Sequence, residues 1–233
     1  MAEKLKQLKL AAVNIDGVLL NDTFSPVIHN FIVSRGGEYT AEVERSIFSQ
    51  PQLVGGQGMA NAARVPWTAQ EAIDVYFKER EEYLRDHPVE LIDGAVELLR
   101  RLRALGLKTV SYGGLDKAHF DTYLGGRYGD LFDEPGYVCT NDFRPGLREI
   151  TTEVFGLEYD QVLFIDDVAR VAEVAKALDI PFIGHPSSFE HSFQPQLMRE
   201  AGARHIVGSL HAIDEDLLHT LDAEAAARSV WHG

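Results

Sequence analysis

The sequence has a single cysteine, Cys139, in 233 residues. No intramolecular disulfide can form, which points to a reducing compartment and to Cys139 as a small buried hydrophobe. Positive charge is also scarce: 22 Lys and Arg stand against 36 Asp and Glu, a net charge of -14. A surface that acidic repels nucleic-acid phosphates and anionic lipid, so neither nucleic acid nor a membrane surface is an expected partner. No apolar run approaches the roughly 20 residues of a membrane helix. The N-terminal stretch MAEKLKQLKLAAV lacks the long apolar core of a secretion signal, and a cytoplasmic location is expected. Internal repeats and low-complexity tracts are missing as well, which excludes repeat architectures and long disordered arms.

What remains is an ordinary globular composition, 45% hydrophobic and 25% charged, on a chain long enough for one large domain or a core with a small accessory domain. Short apolar runs at Leu8–Ile15, Leu107–Tyr112, Val162–Ile165, Ile180–Ile183 and His205–Val207 read as buried parallel strands, each rich in β-branched residues or closed by Gly, Asp or Pro. Between them, Ala95–Leu105, Leu147–Phe155 and Ala169–Leu178 carry a helical period, and Ile213–Ala227 reads as one more amphipathic helix. Strands alternating with helices predict an α/β fold with a central parallel sheet, whose ligands sit beyond the carboxyl ends of the strands.

One stretch breaks the alternation. Ser25–Ser34, Ala41–Ser49 and Thr68–Arg85 read as helices with no strand among them, and Thr68 followed by Glu71 has the spacing of a capping box. Asn21 to Pro88 is therefore read as a helical insert after the first strand. Gly55-Gly56-Gln57-Gly58 inside it reads as a loop between helices, since no strand precedes it as a phosphate loop would require. His185 and His191, six residues apart, match no metal-ligand spacing.

The strand ends carry the chemistry. The first closes as Asn14-Ile15-Asp16-Gly17, the second as Ser111-Tyr112-Gly113-Gly114, a third as Tyr137-Val138-Cys139-Thr140 with Arg144-Pro145 shortly after, and a fourth as Asp166-Asp167. In this order, with a helical insert behind the first, the set resembles the haloacid-dehalogenase (HAD) superfamily over nearly the whole chain. The resemblance implies a Rossmann-like HAD core at residues 1–20 and 89–233 and a helical C1-type cap at 21–88. It further implies a Mg²⁺-dependent phosphoric monoester hydrolase acting on a small phosphorylated molecule. In that family the first strand's leading aspartate attacks phosphorus, the aspartate two residues on moves protons, a hydroxyl and a cation hold the phosphoryl oxygens, and an acidic pair helps to hold Mg²⁺.

Carried over residue by residue, the pattern departs at its centre. The nucleophile position is Asn14, whose amide is not a competent nucleophile and brings one negative charge fewer to the metal. The acid/base position, Asp16, is retained. The hydroxyl position falls on Gly113, with Ser111 as a substitute on the same face, so Ser111, Gly113, Gly114 and Arg144 form the expected phosphate-binding set. Asp16, Asp166 and Asp167 form the expected metal set, and a further acidic position reads Val171. Because Gly113 and Val171 depart along with Asn14, natural divergence is favoured over a trapping substitution. Two readings follow: a hydrolase scaffold in which ordinary aspartyl-phosphate turnover is doubtful, or a non-catalytic phosphometabolite-binding or regulatory protein. Tyr112 and His119 are candidates for the site mouth, with packing between helix and sheet the alternative for Tyr112.

Overall fold

The computed structural model describes residues 3–232. Five strands, β1 (Leu10–Asn14), β2 (Lys108–Gly113), β3 (Tyr137–Cys139), β4 (Val162–Asp166) and β5 (Phe182–Gly184), form one parallel sheet in the order β3-β2-β1-β4-β5. Every residue of β1 and β4 is buried. That is the signature of strands covered on both faces, and it explains why unbroken apolar runs rather than alternating ones mark them. The chain runs from β1 out to β3 and returns to β4 on the other side of β1. The crevice at this switch lies between the carboxyl ends of β1 and β4.

The core helices are α5 (Ala95–Ala104), α6 (Lys117–Phe120), α7 (Gly126–Tyr128), α8 (Ala169–Ala177), α9 (Gln194–Ala201) and α10 (Glu215–Ala226). Ala95, Leu98, Leu99 and Leu102 of α5 are buried as their period predicts. Burying each leucine is worth about 1.5–3 kcal/mol. Leu147–Phe155 is helical but wide, a π-type turn at Glu149–Val154. Two expectations for the core fail. His205–Val207 is no strand: Ile206 makes only an isolated bridge to Gly184, because its apolar run is too short to continue the ladder. Cys139 is exposed, since it closes the short edge strand β3 where no further strand covers it.

Between β1 and α5 lie α1 (Ser25–Val33), α2 (Ala41–Ile47), α3 (Gln52–Ala62) and α4 (Ala69–Tyr83). They share a hydrophobic cluster of their own, which includes Phe31, Ile32, Ala60 and Ala72. Thr68 caps α4 as predicted: its hydroxyl accepts from the Glu71 amide, and the Glu71 carboxylate accepts from the Thr68 amide at 2.8 Å. The glycine-rich stretch is not a loop but part of α3. A Cβ at Gly56 would stand 2.6 Å from the Ala69 carbonyl and 2.7 Å from Ile73. Gly56 lets α3 press against α4, while Gly55 and Gly58 lie against Ser46 and Ile47 of α2, and that packing outweighs their weak helix propensity.

Several polar contacts tie the insert to the core. Ser187 donates to Asp22 at 2.5 Å, Asn141 donates to Gln52 at 3.0 Å, and the buried Glu44 of α2 accepts from the Phe193 amide at 2.9 Å and the Ser192 hydroxyl at 3.1 Å. Burial outweighs these hydrogen bonds and raises the Glu44 pKa above the ordinary carboxylate range. A carboxyl raised in the fold contributes stability at low pH that is lost as pH rises through the folded value. Glu44→Gln should therefore gain melting temperature relative to the native chain as pH goes from about 4 to about 8. Thermal melts across that range check this, and parallel profiles would contradict it.

Candidate active site

At the end of β1 the backbone turns sharply. The Gly17 amide donates to the Leu20 carbonyl at 2.7 Å, and Gly17 has φ of +96°. A Cβ there would also stand 2.2 Å from Oδ2 of Asp167. Glycine is thus required twice, by the left-handed backbone and by the carboxyl against it. The turn brings three groups together. Nδ2 of Asn14 donates to the Asp16 carbonyl at 2.8 Å and to Oδ1 of Asp167 at 2.7 Å. Both amide hydrogens are used, which fixes the orientation of the side chain. Asp16 lines the adjoining cavity, and its Oδ1 accepts from Nε2 of His119 at 2.8 Å.

The second acidic residue of the pair and the first behave differently because neighbours on a strand end point to opposite sides. Asp167 faces the cavity. Asp166 faces inward, where Tyr112 donates its hydroxyl at 2.5 Å and the Val168 amide donates at 2.8 Å. Burial pushes the Asp166 pKa up to about 6, against the lowering effect of the Tyr112 bond. Burial, then the neighbouring Asp166 and Asp22 charges, raises Asp167 well above the carboxylate range. Tyr112 packs edge-on against Phe164 at 5.5 Å and is raised well above its ordinary pKa, so it keeps its proton for Asp166.

The expected phosphate set is only partly assembled. Arg144 lines the cavity, and its Nη2 donates to the Ser49 hydroxyl of the insert at 3.3 Å. Gly114 lines it too, and a Cβ there would stand 1.8 Å from Nη1 of Arg144, so the guanidinium lies against bare backbone. Ser111 does not reach: it is fully buried and its hydroxyl donates to the Val13 carbonyl at 3.1 Å. Gly113 is enclosed by Ile15 and Tyr137, and its carbonyl accepts from the Thr140 amide at 2.8 Å. Val171 is a core residue. His185 and His191 are not paired: His185 donates to the Gly17 carbonyl at 3.1 Å, while His191 stacks on His29 at 4.3 Å. Sequence reasoning missed Asp22, Ser49 and Tyr76, all of which line the cavity. All three lie in the insert, where helical periodicity does not say which face meets the strand ends.

Mg²⁺ held by Asp16, Asp166 and Asp167 does not fit these side chains as they stand. Asp166 is turned away and satisfied. The Asn14 amide hydrogens already meet the Asp16 carbonyl and the Asp167 carboxyl, two of the hard oxygens such an ion would need. Among the described residues no cluster of three His, Cys, Asp or Glu is arranged to hold a metal.

The fold and the site together can be compared with known proteins. No family model matches the sequence, and no curated protein matches it. Solved structures do match. A phosphonoacetaldehyde hydrolase-like protein from Oleispira antarctica aligns with a TM-score of 0.69 at 14% identity, over 97% of each chain. A HAD hydrolase of family IA, variant 3, from Entamoeba histolytica aligns at 0.68 and 13% identity, over 93% of this chain and 100% of that one. The chain has the HAD hydrolase fold. A HAD family hydrolase from Deinococcus radiodurans, solved with bound phosphate and sodium, aligns at 0.60 and 19% identity, over 94% of this chain and 97% of that one. The helical insert and the end of β1, including Asn14, line the same cavity. No helix among the described residues is long and apolar enough to cross a membrane.

The fit of the amide has a direct consequence. Saturating Mg²⁺ should leave the melting temperature of the native chain unchanged. Asn14→Asp should lower it by about 1–3 kcal/mol of stability, because a carboxylate then faces a carbonyl and a carboxyl, and Mg²⁺ should restore part of the loss. A saturable Mg²⁺-dependent rise in the native chain would contradict the assignment.

Proposed function

We propose that this chain uses a HAD-like hydrolase scaffold to bind a small phosphorylated molecule and does not turn it over through an aspartyl-phosphate. The observation that carries this reading is Arg144. Its guanidinium lines the cavity, it forms no ion pair among the described residues, and its buried Nε has no hydrogen-bond partner. A half-buried cation without an acidic partner is a site for an anion, and the planar fork of arginine suits phosphate. Across the same cavity, the uncharged Asn14 amide does not add the repulsion that a carboxylate at that position would present to an anion. A phosphate bound to the Deinococcus radiodurans protein of the same fold agrees with this chemistry.

One observation favours a second reading. Asp16 remains at the cavity with His119 on its Oδ1, the arrangement of a carboxylate held ready to take a proton from water. Slow hydrolysis by direct water attack would then replace the missing nucleophile. Turnover of an aryl phosphate by the native chain, abolished by Asp16→Ala, would select it over the binding reading.

The binding reading makes its own demand. Titrated with inorganic phosphate, Arg144→Ala should bind roughly 10- to 100-fold more weakly than the native chain, the worth of about 1.5–3 kcal/mol for a charge-assisted hydrogen bond. Arg144→Lys should fall between them. Equal affinity for all three would show that the anion does not sit on Arg144.

A further inference from the structure

The cavity has two unlike halves. Its floor is the strand-end chemistry already described. Its roof, contributed by the insert, is built from Phe24, Ile28, Ile47, Met59, Ile73 and Phe77. Ile28, Ile47, Met59 and Ile73 are buried, and Phe24 and Phe77 are half-buried at the edge of the apolar cluster of the insert. The insert also lines the cavity with Asp22, Ser49, Gln50 and Gln52, each already engaged in a hydrogen bond, and with one hydroxyl that is not. Tyr76 is only 4% exposed, yet its OH has no hydrogen-bond partner among the described residues. Burial also raises its pKa, so it stands as a neutral hydroxyl. Arg80, the nearby cation, is occupied elsewhere: it lies over the Phe24 ring at 4.2 Å and donates to Thr23 at 2.8 Å.

A sugar phosphate placed beneath the apolar residues would bury several hydroxyls against hydrocarbon and would have to compete for polar groups already bonded to one another, with Tyr76 the unpartnered exception, and unpaired buried hydroxyls cost affinity. An apolar body would instead gain from every methylene or ring edge it removes from water. We infer that the ligand is a phosphate monoester of an apolar alcohol, aryl or branched alkyl, with its phosphate on Arg144 and its body beneath the roof. This rests on the reading of Arg144 as the partner of the anion. The hydroxyl of Tyr76 leaves room for one polar atom on that body.

Calorimetric titration of the full chain with naphthyl phosphate, glucose 6-phosphate and inorganic phosphate tests the inference. Naphthyl phosphate should bind at least about tenfold more tightly than glucose 6-phosphate, as burial of a few apolar carbons implies. Phe77→Ser should narrow that gap. Glucose 6-phosphate binding as tightly as naphthyl phosphate would overturn the apolar assignment and leave the anion site standing. Failure of all three to bind would remove the anion site, and the apolar assignment with it.

Discussion

The site is organised by one side chain. The Asn14 amide spends both of its hydrogens, one on the Asp16 carbonyl and one on the Asp167 carboxyl. It thereby joins the end of β1 to the end of β4 across the crevice of the sheet. A carboxylate at residue 14 would face two oxygens and would need a cation between them. The amide supplies the positive hydrogens itself. Around this bridge the rest follows: Gly17 must be glycine because Asp167 lies against it, burial and its acidic neighbours raise the Asp167 pKa, and Asp166 is released from the cavity to pair with Tyr112.

The insert completes what the strand ends begin. Its polar contacts to the core through Asp22, Glu44 and Gln52 hold it over the crevice, and Ser49 meets Arg144 there. The enclosure has a cation without an acidic partner on one wall and hydrocarbon above. The ligand proposed for that combination is an anion with an apolar body, held by desolvation and by one strong polar contact, which is how small-molecule pockets usually work. Nothing in such recognition needs a nucleophile. A HAD-like scaffold without one can therefore keep its cleft intact, since fold alone does not fix function.

Much of this was legible before any coordinates. Fully buried parallel strands announce themselves as unbroken apolar runs, so β1, β2 and β4 and the residues that close them could be read directly, and with them Asn14, Asp16, Arg144 and the acidic pair. What could not be read depends on tertiary packing. A strand end with two adjacent acids does not reveal which one faces the ligand, and Asp166 and Asp167 divide the roles. Ser111 shares a face with the strand-end position but is drawn to the Val13 carbonyl of the neighbouring strand. The glycines of α3 read as a loop by propensity, and their close packing against Ser46 and Ile47 of α2 and Ala69 and Ile73 of α4 is visible only in the fold. The roof residues and Tyr76 belong to helices whose period shows that they are amphipathic but not what their inner faces meet.

The central claim is that the Asn14 amide stands where a cation would otherwise be needed. Side-chain amide NMR of the ¹⁵N-labelled full chain, with and without equimolar Mn²⁺, tests it most directly. The account predicts two distinct Asn14 side-chain N–H resonances, slow to exchange with water and no more broadened by Mn²⁺ than those of distant asparagines. Selective loss of the Asn14 signals on adding Mn²⁺, or a rapidly exchanging Asn14 amide in its absence, would contradict it.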